Sequence, residues 1–290
     1  MCTNIQTIID FRIYLSSRLE GLYPEREIRS IATVIIKTLF ETDRLHNLQE
    51  EMLLITPDLE SRLKDITLEL ENGRPVQYIL GETEFYNCRI VLKPVVLIPR
   101  QETEEVVDLV IRENRGFTGN IIDIGTGSGC IAIALARNIH SARVTGTDLT
   151  DEILSVARTN AEINGVDVSF IKADILKRDY RAIGRFSILV SNPPYVRESE
   201  RQFMGKNVLD FEPGSALFVP DDDPLLFYRK ILESIPFLLE EGGSVYFEIN
   251  EAMGDETEEL MKSFYLNNIS IIRDLNGKNR IAKGIYNGWK

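Results

Sequence analysis

Apolar positions recur at helical intervals over the first seventy residues and at strand-like intervals beyond them, and this change of period divides the chain. Ile8, Phe11, Leu15 and Leu19 share one helical face, and so do Ile28, Ile31, Ile35 and Leu39 behind a start at Pro24. A third helix is delimited at both ends. In T-P-D-L-E-S-R-L-K-D-I-T-L-E-L-E-N-G, Thr56 can cap the first turn and Pro57 suits the first helical position. Leu59, Leu63, Ile66 and Leu70 form the buried stripe, and Gly73 supplies the stop. The pattern predicts a small helical bundle over residues 1–72, open to two readings: a packing module or a partner-recognition module.

From Gly73 to Arg100 the pattern becomes short alternating runs, Y-I-L-G-E-T-E-F-Y-N-C-R-I-V-L-K-P-V-V-L-I-P-R, punctuated by Asn87, Lys93 and Pro94; this predicts a β-hairpin linker. Residues 101–290 then alternate apolar runs with helical segments. N-I-I-D-I-G precedes G-C-I-A-I-A-L-A-R-N-I, R-V-T-G-T-D-L precedes D-E-I-L-S-V-A-R-T-N-A-E-I-N-G, and V-S-F-I-K-A-D-I and F-S-I-L-V-S-N-P-P-Y follow. The helical pattern of P-L-L-F-Y-R-K-I-L-E-S-I-P-F-L-L-E-E-G-G leads to G-S-V-Y-F-E-I-N and D-E-T-E-E-L-M-K-S-F-Y-L. Such alternation predicts an α/β domain with a parallel sheet covered on both faces. The last two runs, Ser270 to Leu275 and Lys283 to Tyr286, are joined through N-G-K-N-R and predict an antiparallel hairpin at the sheet edge.

Charge narrows the classes of partner. The 290 residues carry 33 Lys and Arg against 45 Asp and Glu, a net charge of −12, distributed as −5 in residues 1–72 and −7 in the remainder. Neither part is a basic arm, so no direct nucleic-acid partner is expected. Cys2, Cys88 and Cys130 are too few and too widely spaced for a disulfide framework or a thiolate metal site, and no metal is expected. The N-terminal stretch holds Asp10 and Arg12 among its apolar positions without a basic lead, and no run of 18 uncharged apolar residues occurs. Neither signal peptide nor membrane contact is expected, and a cytoplasmic monomer is.

Residues Ile121 to Gly129 read I-I-D-I-G-T-G-S-G, an apolar strand running into three alternate glycines, Gly125, Gly127 and Gly129, and then a helix. Glycine is needed where backbone turns sharply and a ligand lies against it, although a tight strand-to-helix turn alone would ask for the same. Asp148, nineteen residues after Gly129, ends the next strand, where a carboxylate can accept hydrogen bonds from ribose hydroxyls. Together these predict a nucleoside-cofactor site. The nicotinamide and flavin fingerprint is G-x-G-x-x-G, whereas this loop is G-x-G-x-G with Asp123 inside its strand.

The loop resembles that of class I S-adenosylmethionine methyltransferases. The resemblance implies that Gly125, Thr126, Gly127, Ser128 and Gly129 pack on the methionine and ribose of S-adenosyl-L-methionine, that Asp148 holds the ribose hydroxyls, and that Asp174 and Ile175 border the adenine. Ile175 stands where some relatives have an aromatic ring.

The fourth run ends in Ser191-Asn192-Pro193-Pro194-Tyr195. Two prolines can simply terminate a strand. An amide or exocyclic amino nitrogen is a poor nucleophile because its lone pair is delocalised, however, and alkylating it requires acceptors for its N–H protons. Asn192 offers a side-chain carbonyl, Pro193 a backbone carbonyl, and Tyr195 a flat face for a planar group. Asn192 also counts among the expected cofactor-binding residues. His46 and His140 lie away from this motif in the sequence and are read as structural or exposed.

N-P-P-Y is shared by methyltransferases of adenine N6 and of glutamine amides. G-R-P-V-Q-Y-I-L-G (Gly73 to Gly81), F-Y-N-C (Phe85 to Cys88), L-I-P-R-Q-E-T-E (Leu97 to Glu104) and F-E-P-G-S-A-L-F (Phe211 to Phe218) further resemble the protein-glutamine N5-methyltransferases of the HemK/PrmC family. Gln101 replaces the family's usual proline, and E-I-N at Glu248 to Asn250 its usual E-I-G.

This resemblance implies a Rossmann-like methyltransferase domain with a mostly parallel seven-stranded sheet over residues 101–290, a hairpin linker over 73–100, and a substrate-recognising bundle over 1–72. It implies catalysis by Asn192, Pro193, Pro194 and Tyr195 on the glutamine of the Gly-Gly-Gln motif in a peptide chain release factor. Arg100, Thr103 and Glu104 are expected at the pocket mouth or at a helix start, and Glu212 and Pro213 in the acceptor loop or a bare turn. An adenine-N6 methyltransferase and a silent cofactor-binding protein are the competing readings.

Overall fold

A computed structural model of the chain describes residues 5–40, 55–177 and 179–288. Cys2, His46 and residues 41–54 of the expected bundle lie outside these. The chain forms two compact units, Met1–Gly81 with Gly205–Phe211, and Glu82–Met204 with Glu212–Lys290.

The first unit contains α1 (Ile8–Leu19), α2 (Glu25–Phe40), α3 (Pro57–Glu71) and the short α4 (Val76–Leu80). Thr7 and Asp10 form a capping box at α1, with Asp10 N–H donating to Thr7 Oγ1 at 3.1 Å and Thr7 N–H to Asp10 Oδ2 at 2.9 Å. Such a cap contributes about 1 kcal/mol. The apolar stripes bury Phe11, Leu15, Leu19, Ile35, Leu63 and Leu70 in one core, against which Leu39 and Leu59 pack half-buried. Full burial of each of the larger residues stabilises by roughly 1.5–3 kcal/mol. Arg18 forks onto Glu71 at 2.5 and 2.6 Å, joining α1 to α3.

Residues 73–100 are not a simple hairpin. Val76 to Leu80 form a helical turn because Val76, Ile79 and Leu80 find apolar partners in the bundle core, and packing of this kind outweighs strand propensity. Gly81, at φ 79°, ends the turn. The hairpin proper is β1 (Glu82–Phe85) and β2 (Cys88–Val91), closed by Tyr86 and Asn87, both at positive φ, and it belongs to the second unit. Residues 92–100 form no strand.

The second unit continues through α5 (Gln101–Glu113), β3 (Asn120–Ile124), α6 (Cys130–Asn138), β4 (Arg143–Asp148), α7 (Asp151–Asn164), β5 (Val168–Lys172) and β6 (Phe186–Ser191). Then come the two-residue strands β7 (Val196–Arg197) and β8 (Phe218–Val219), with α8 (Lys206–Phe211) between them in sequence and grouped with the first unit. The chain ends with α9 (Leu226–Leu238), β9 (Leu239–Glu248), α10 (Gly254–Ser263), β10 (Leu266–Arg273) and β11 (Asn279–Tyr286).

The seven-stranded sheet has the order β10-β11-β9-β6-β3-β4-β5, parallel from β9 to β5, with β11 and β10 antiparallel at one edge. The chain winds outward from β3 to β5 and then returns to β6 on the other side of β3. The carboxyl ends of β3 and β6 therefore flank the point where winding reverses, and open α/β sheets bind ligands there.

One boundary differs from the sequence reading. The helical pattern through Gly243 stops at Leu238, and Leu239 opens β9. Pro236 lies in the last turn of α9, where it has no N–H to donate to the Leu232 carbonyl and so weakens the helix end. Beneath the sheet, Ile122, Leu189, Val245 and Phe247 pack with Tyr228, Ile231, Leu232 and Ile235 of α9. Among the described residues no helix is long and apolar enough to cross a membrane.

Candidate active site

The loop after β3 owes its shape to three residues in left-handed backbone: Gly125 at φ 74°, Gly127 at 55° and Gly129 at 83°. They do different work. Gly125 and Gly127 border a cavity of about 390 Å³, and a Cβ on either would meet no protein atom within 4 Å, so the loop is a cradle that side chains would fill. Gly129 does not line the cavity. A Cβ there would lie 3.1 Å from both Ala157 Cβ and Ile133 Cδ1, so this glycine lets α7 approach the start of α6. Thr126 and Ser128, both buried, also line the cavity.

Asp148, at the end of β4, borders the cavity with both carboxylate oxygens held by backbone: Gly127 N–H donates to Oδ2 at 2.8 Å and Leu149 N–H to Oδ1 at 2.7 Å. Burial raises its pKa above the ordinary carboxylate value while these two donors oppose the rise. Asp123 is fully buried behind the loop, accepting from Thr126 Oγ1 at 2.6 Å, and burial pushes its pKa up to about 7, reinforced by Asp148. Asp174 and Ile175 line the far side. Asp174 accepts from Leu176 N–H at 3.0 Å and pairs with Lys177 at 3.0 Å, while Ile175 packs on the sheet core.

At the end of β6, the Ser191 hydroxyl donates to the Ile124 carbonyl at 2.6 Å and locks this turn to the glycine loop. Asn192, Pro193 and Pro194 line the cavity. Tyr195 does not. Its ring packs half-buried against the core, and its hydroxyl donates to Glu248 Oε1 at 2.9 Å, so the face expected for a planar group is turned to packing. The tyrosine keeps its proton, since burial and Glu248 both raise its pKa. Asn192 Nδ2 donates to Thr103 Oγ1 at 3.1 Å, and Thr103 in turn donates to Glu248 Oε2 at 2.6 Å.

Arg100 and Thr103 lie at the cavity, and Glu104 holds Tyr86 N–H at 2.7 Å instead. Glu212, almost fully buried, pairs with Arg100 at 2.6 Å and accepts from Ile98 N–H at 3.3 Å, tying the F-E-P-G-S-A loop to the I-P-R strap. The β7–β8 ladder then lays Ser215, Ala216 and Phe218 against the cavity. His140 is exposed beyond α6.

Sequence reasoning missed three participants. Asn160 of α7 bridges Ser128 O at 2.9 Å and both backbone groups of Val91 at 2.8 and 2.9 Å, holding the hairpin and the glycine loop together. Tyr180 borders the cavity with its hydroxyl 3.0 Å from Thr147 Oγ1. Glu248 appeared only as part of E-I-N. None has a local motif; a buried asparagine on a helix and a glutamate ending an apolar strand were the available signals.

The family described as "Methyltransferase small domain" matches residues 106–210. A solved 16S rRNA N2 methyltransferase of T. thermophilus, in complex with AdoMet and guanosine, aligns at a TM-score of 0.50 and 15% identity over 71% of this chain and 49% of its own, a likeness of fold. A switch point cradled by glycines on a seven-stranded sheet of this order is the class I methyltransferase fold. A release factor glutamine methyltransferase of Flavobacterium psychrophilum is 40% identical over 286 residues, covering 95% of this chain and 98% of its own. That of Bacteroides thetaiotaomicron is 40% identical over 268 residues, covering 92% and 96%. The chain belongs to the release factor glutamine methyltransferase family.

Proposed function

We propose that this protein transfers a methyl group from S-adenosyl-L-methionine to the side-chain amide nitrogen of the glutamine in the Gly-Gly-Gln motif of a peptide chain release factor. The products are N5-methylglutamine and S-adenosylhomocysteine. The observation that carries the reading is the junction of Asn192-Pro193-Pro194 with the glycine loop at one cavity, pinned by the Ser191 to Ile124 hydrogen bond.

The cavity suits the cofactor. Its volume of about 390 Å³ is in the range of small-molecule sites, and the space over Gly125 and Gly127 is open to a ligand lying flat on backbone. Gly125, Thr126, Gly127 and Ser128 would hold the methionine and ribose portion, Asp148 the ribose hydroxyls, and Asp174 and Ile175 the adenine. Bound there, S-adenosyl-L-methionine supplies a methyl group made electrophilic by its sulfonium. Asn192 Oδ1 and the Pro193 carbonyl would accept the two N–H groups of the acceptor amide, turning its nitrogen lone pair toward that methyl. Transfer would form the N–C bond as the methyl–sulfur bond breaks, and one amide proton would pass to water. No acid or base is required, and orientation of this kind supplies roughly 7–11 kcal/mol.

Tyr195 supports the turn, and Gly129 supports the loop by helix packing. The acidic chain favours a protein acceptor over a nucleic acid. The helical unit is assigned to recognition of the release factor body, since a Gly-Gly-Gln tip offers little surface, and the working form is taken as a cytoplasmic monomer. The test is incorporation of labelled methyl into a release factor. Wild type is expected to label it, to leave a Gln→Ala acceptor and an RNA oligonucleotide unlabelled, and to lose turnover in Asn192→Ala with cofactor affinity retained. Turnover by Asn192→Ala overturns the assigned role.

A further inference from the structure

The amide of Asn192 has two ends of nearly equal size and opposite chemistry, one donating and one accepting. Only the oxygen can accept a hydrogen bond from the N–H of an acceptor amide, so the rotation of this side chain decides whether the site works. Nothing in N-P-P-Y determines that rotation. It is decided from two other elements.

Glu248 ends β9 with its side chain 1% exposed and outside the set of cavity-lining residues. Its two oxygens accept from two hydroxyls, Tyr195 at 2.9 Å and Thr103 at 2.6 Å. A threonine hydroxyl has a single proton. With that proton committed to Glu248, Thr103 Oγ1 can only accept from Asn192, which donates through Nδ2 at 3.1 Å. No described protein group donates to Asn192 Oδ1, and Asn192 lines the cavity. We propose that Glu248, acting through Thr103, is the positioning residue that locks the Asn192 amide with its oxygen available to the substrate, while its second oxygen holds Tyr195 at the other end of the same turn.

The arrangement is directional. Burial raises the pKa of Glu248, whereas both hydroxyl donors and the nearby Arg280 favour its ionised, purely accepting form. Its backbone carbonyl accepts from the buried Tyr228 hydroxyl at 2.8 Å, which fixes the strand end from which the carboxylate projects. Thr103 sits 2% exposed in the first turn of α5, so the three partners come from α5, the turn after β6, and β9, and meet only in the folded protein. A glutamine at 248 would nearly preserve shape but not direction. Its NH2 end would have to donate to Thr103 or Tyr195; the Tyr195 hydroxyl has no other described acceptor and keeps the glutamine oxygen, so the NH2 falls to Thr103, whose own proton then turns toward Asn192 and calls for the opposite amide rotation.

The inference rests on the reading that Asn192 accepts a substrate N–H, and the experiment separates the two. Full-length wild type, Asn192→Ala, Thr103→Val, Thr103→Ser, Glu248→Gln and the double variant Thr103→Val/Glu248→Gln are assayed on a release factor, with cofactor affinity measured by calorimetry. Thr103→Val and Glu248→Gln are expected to lower kcat at least tenfold with cofactor Kd within about twofold of wild type. Thr103→Ser is expected to keep most of the activity, and the double variant to be no worse than the poorer single, as for residues acting in one chain. In the wild-type protein the Asn192 side-chain NH2 resonance, assigned by its loss in Asn192→Ala, should show one hydrogen-bonded proton that disappears in Thr103→Val. Wild-type turnover, lost in Asn192→Ala but kept by Thr103→Val or by Glu248→Gln, refutes the positioning role alone, as do single-variant losses that multiply in the double variant. An Asn192 NH2 with no bonded proton in wild type does so without reference to activity. Failure of wild type to label the release factor refutes the functional reading instead.

Discussion

Gly127 and Gly129 sit two residues apart in one loop, both with positive φ, yet alanine at each should fail in a different way. An L-residue held in left-handed backbone costs about 1–2 kcal/mol, and both variants incur it. At Gly127 the new methyl meets no protein atom within 4 Å and stands in the cavity, so stability should fall by that amount only. The methyl occupies ligand space, and crowding a packed contact by one carbon costs roughly 1–3 kcal/mol, equivalent to a cofactor Kd about 5- to 150-fold weaker.

At Gly129 the methyl lies 3.1 Å from Ala157 Cβ and Ile133 Cδ1 and 3.3 Å from Ala157 Cα, the last a backbone atom that cannot rotate away. Strain and overpacking together cost roughly 2–5 kcal/mol of folding stability. The residue does not border the cavity, so affinity in the folded fraction should change by less than about threefold, under 0.7 kcal/mol. Urea denaturation gives the first quantity, and calorimetric titration with S-adenosyl-L-methionine the second. Equal stability losses, or a larger affinity loss at Gly129 than at Gly127, would refute the division of labour.

Two carboxylates make further tests. Asp148→Asn replaces the carboxylate proposed to accept from the ribose hydroxyls by a neutral amide, and losing a charge-assisted bond of about 1.5–3 kcal/mol to the cofactor should weaken its binding roughly 10- to 150-fold; a Kd within twofold of wild type rejects the assignment. Asp123 has its pKa pushed up from 3.8 to about 7, so the folded protein binds more protons than the unfolded chain across that window and loses stability as pH rises through it. The stability of wild type relative to Asp123→Asn should fall by about 4 kcal/mol between pH 4 and 8 and stay level above, and a difference that rises with pH in urea titrations contradicts the burial argument.

Helix stripes, the glycine loop and the N-P-P-Y turn were legible because each is a local device. The stripe Leu63, Ile66 and Leu70 is buried as its period requires, and Thr56 caps the helix it precedes. Gly125 and Gly127 need left-handed backbone that few other residues adopt, so their role is written in residue type. The alternation of strands and helices likewise implied the parallel sheet, because a right-handed crossover is the ready way to join neighbouring parallel strands.

Other features depended on residues far apart in the chain. The turn at Val76 to Leu80 is helical because the bundle core accepts its apolar face. Gly129 looked like its neighbours until α7 was placed against it, and the Tyr195 ring faced a planar ligand only while its packing was unknown. Glu248 lies 145 residues from Thr103 and 53 from Tyr195. Its hydrogen bonds join three elements and leave no spacing to read. The sequence by itself determined the chemistry that could be offered, since glycine, proline and asparagine carry their backbone and amide properties wherever they stand. Only the tertiary structure decided which of those groups meet, because the direction of a hydrogen bond belongs to a pair of residues and is settled when folding brings both ends together.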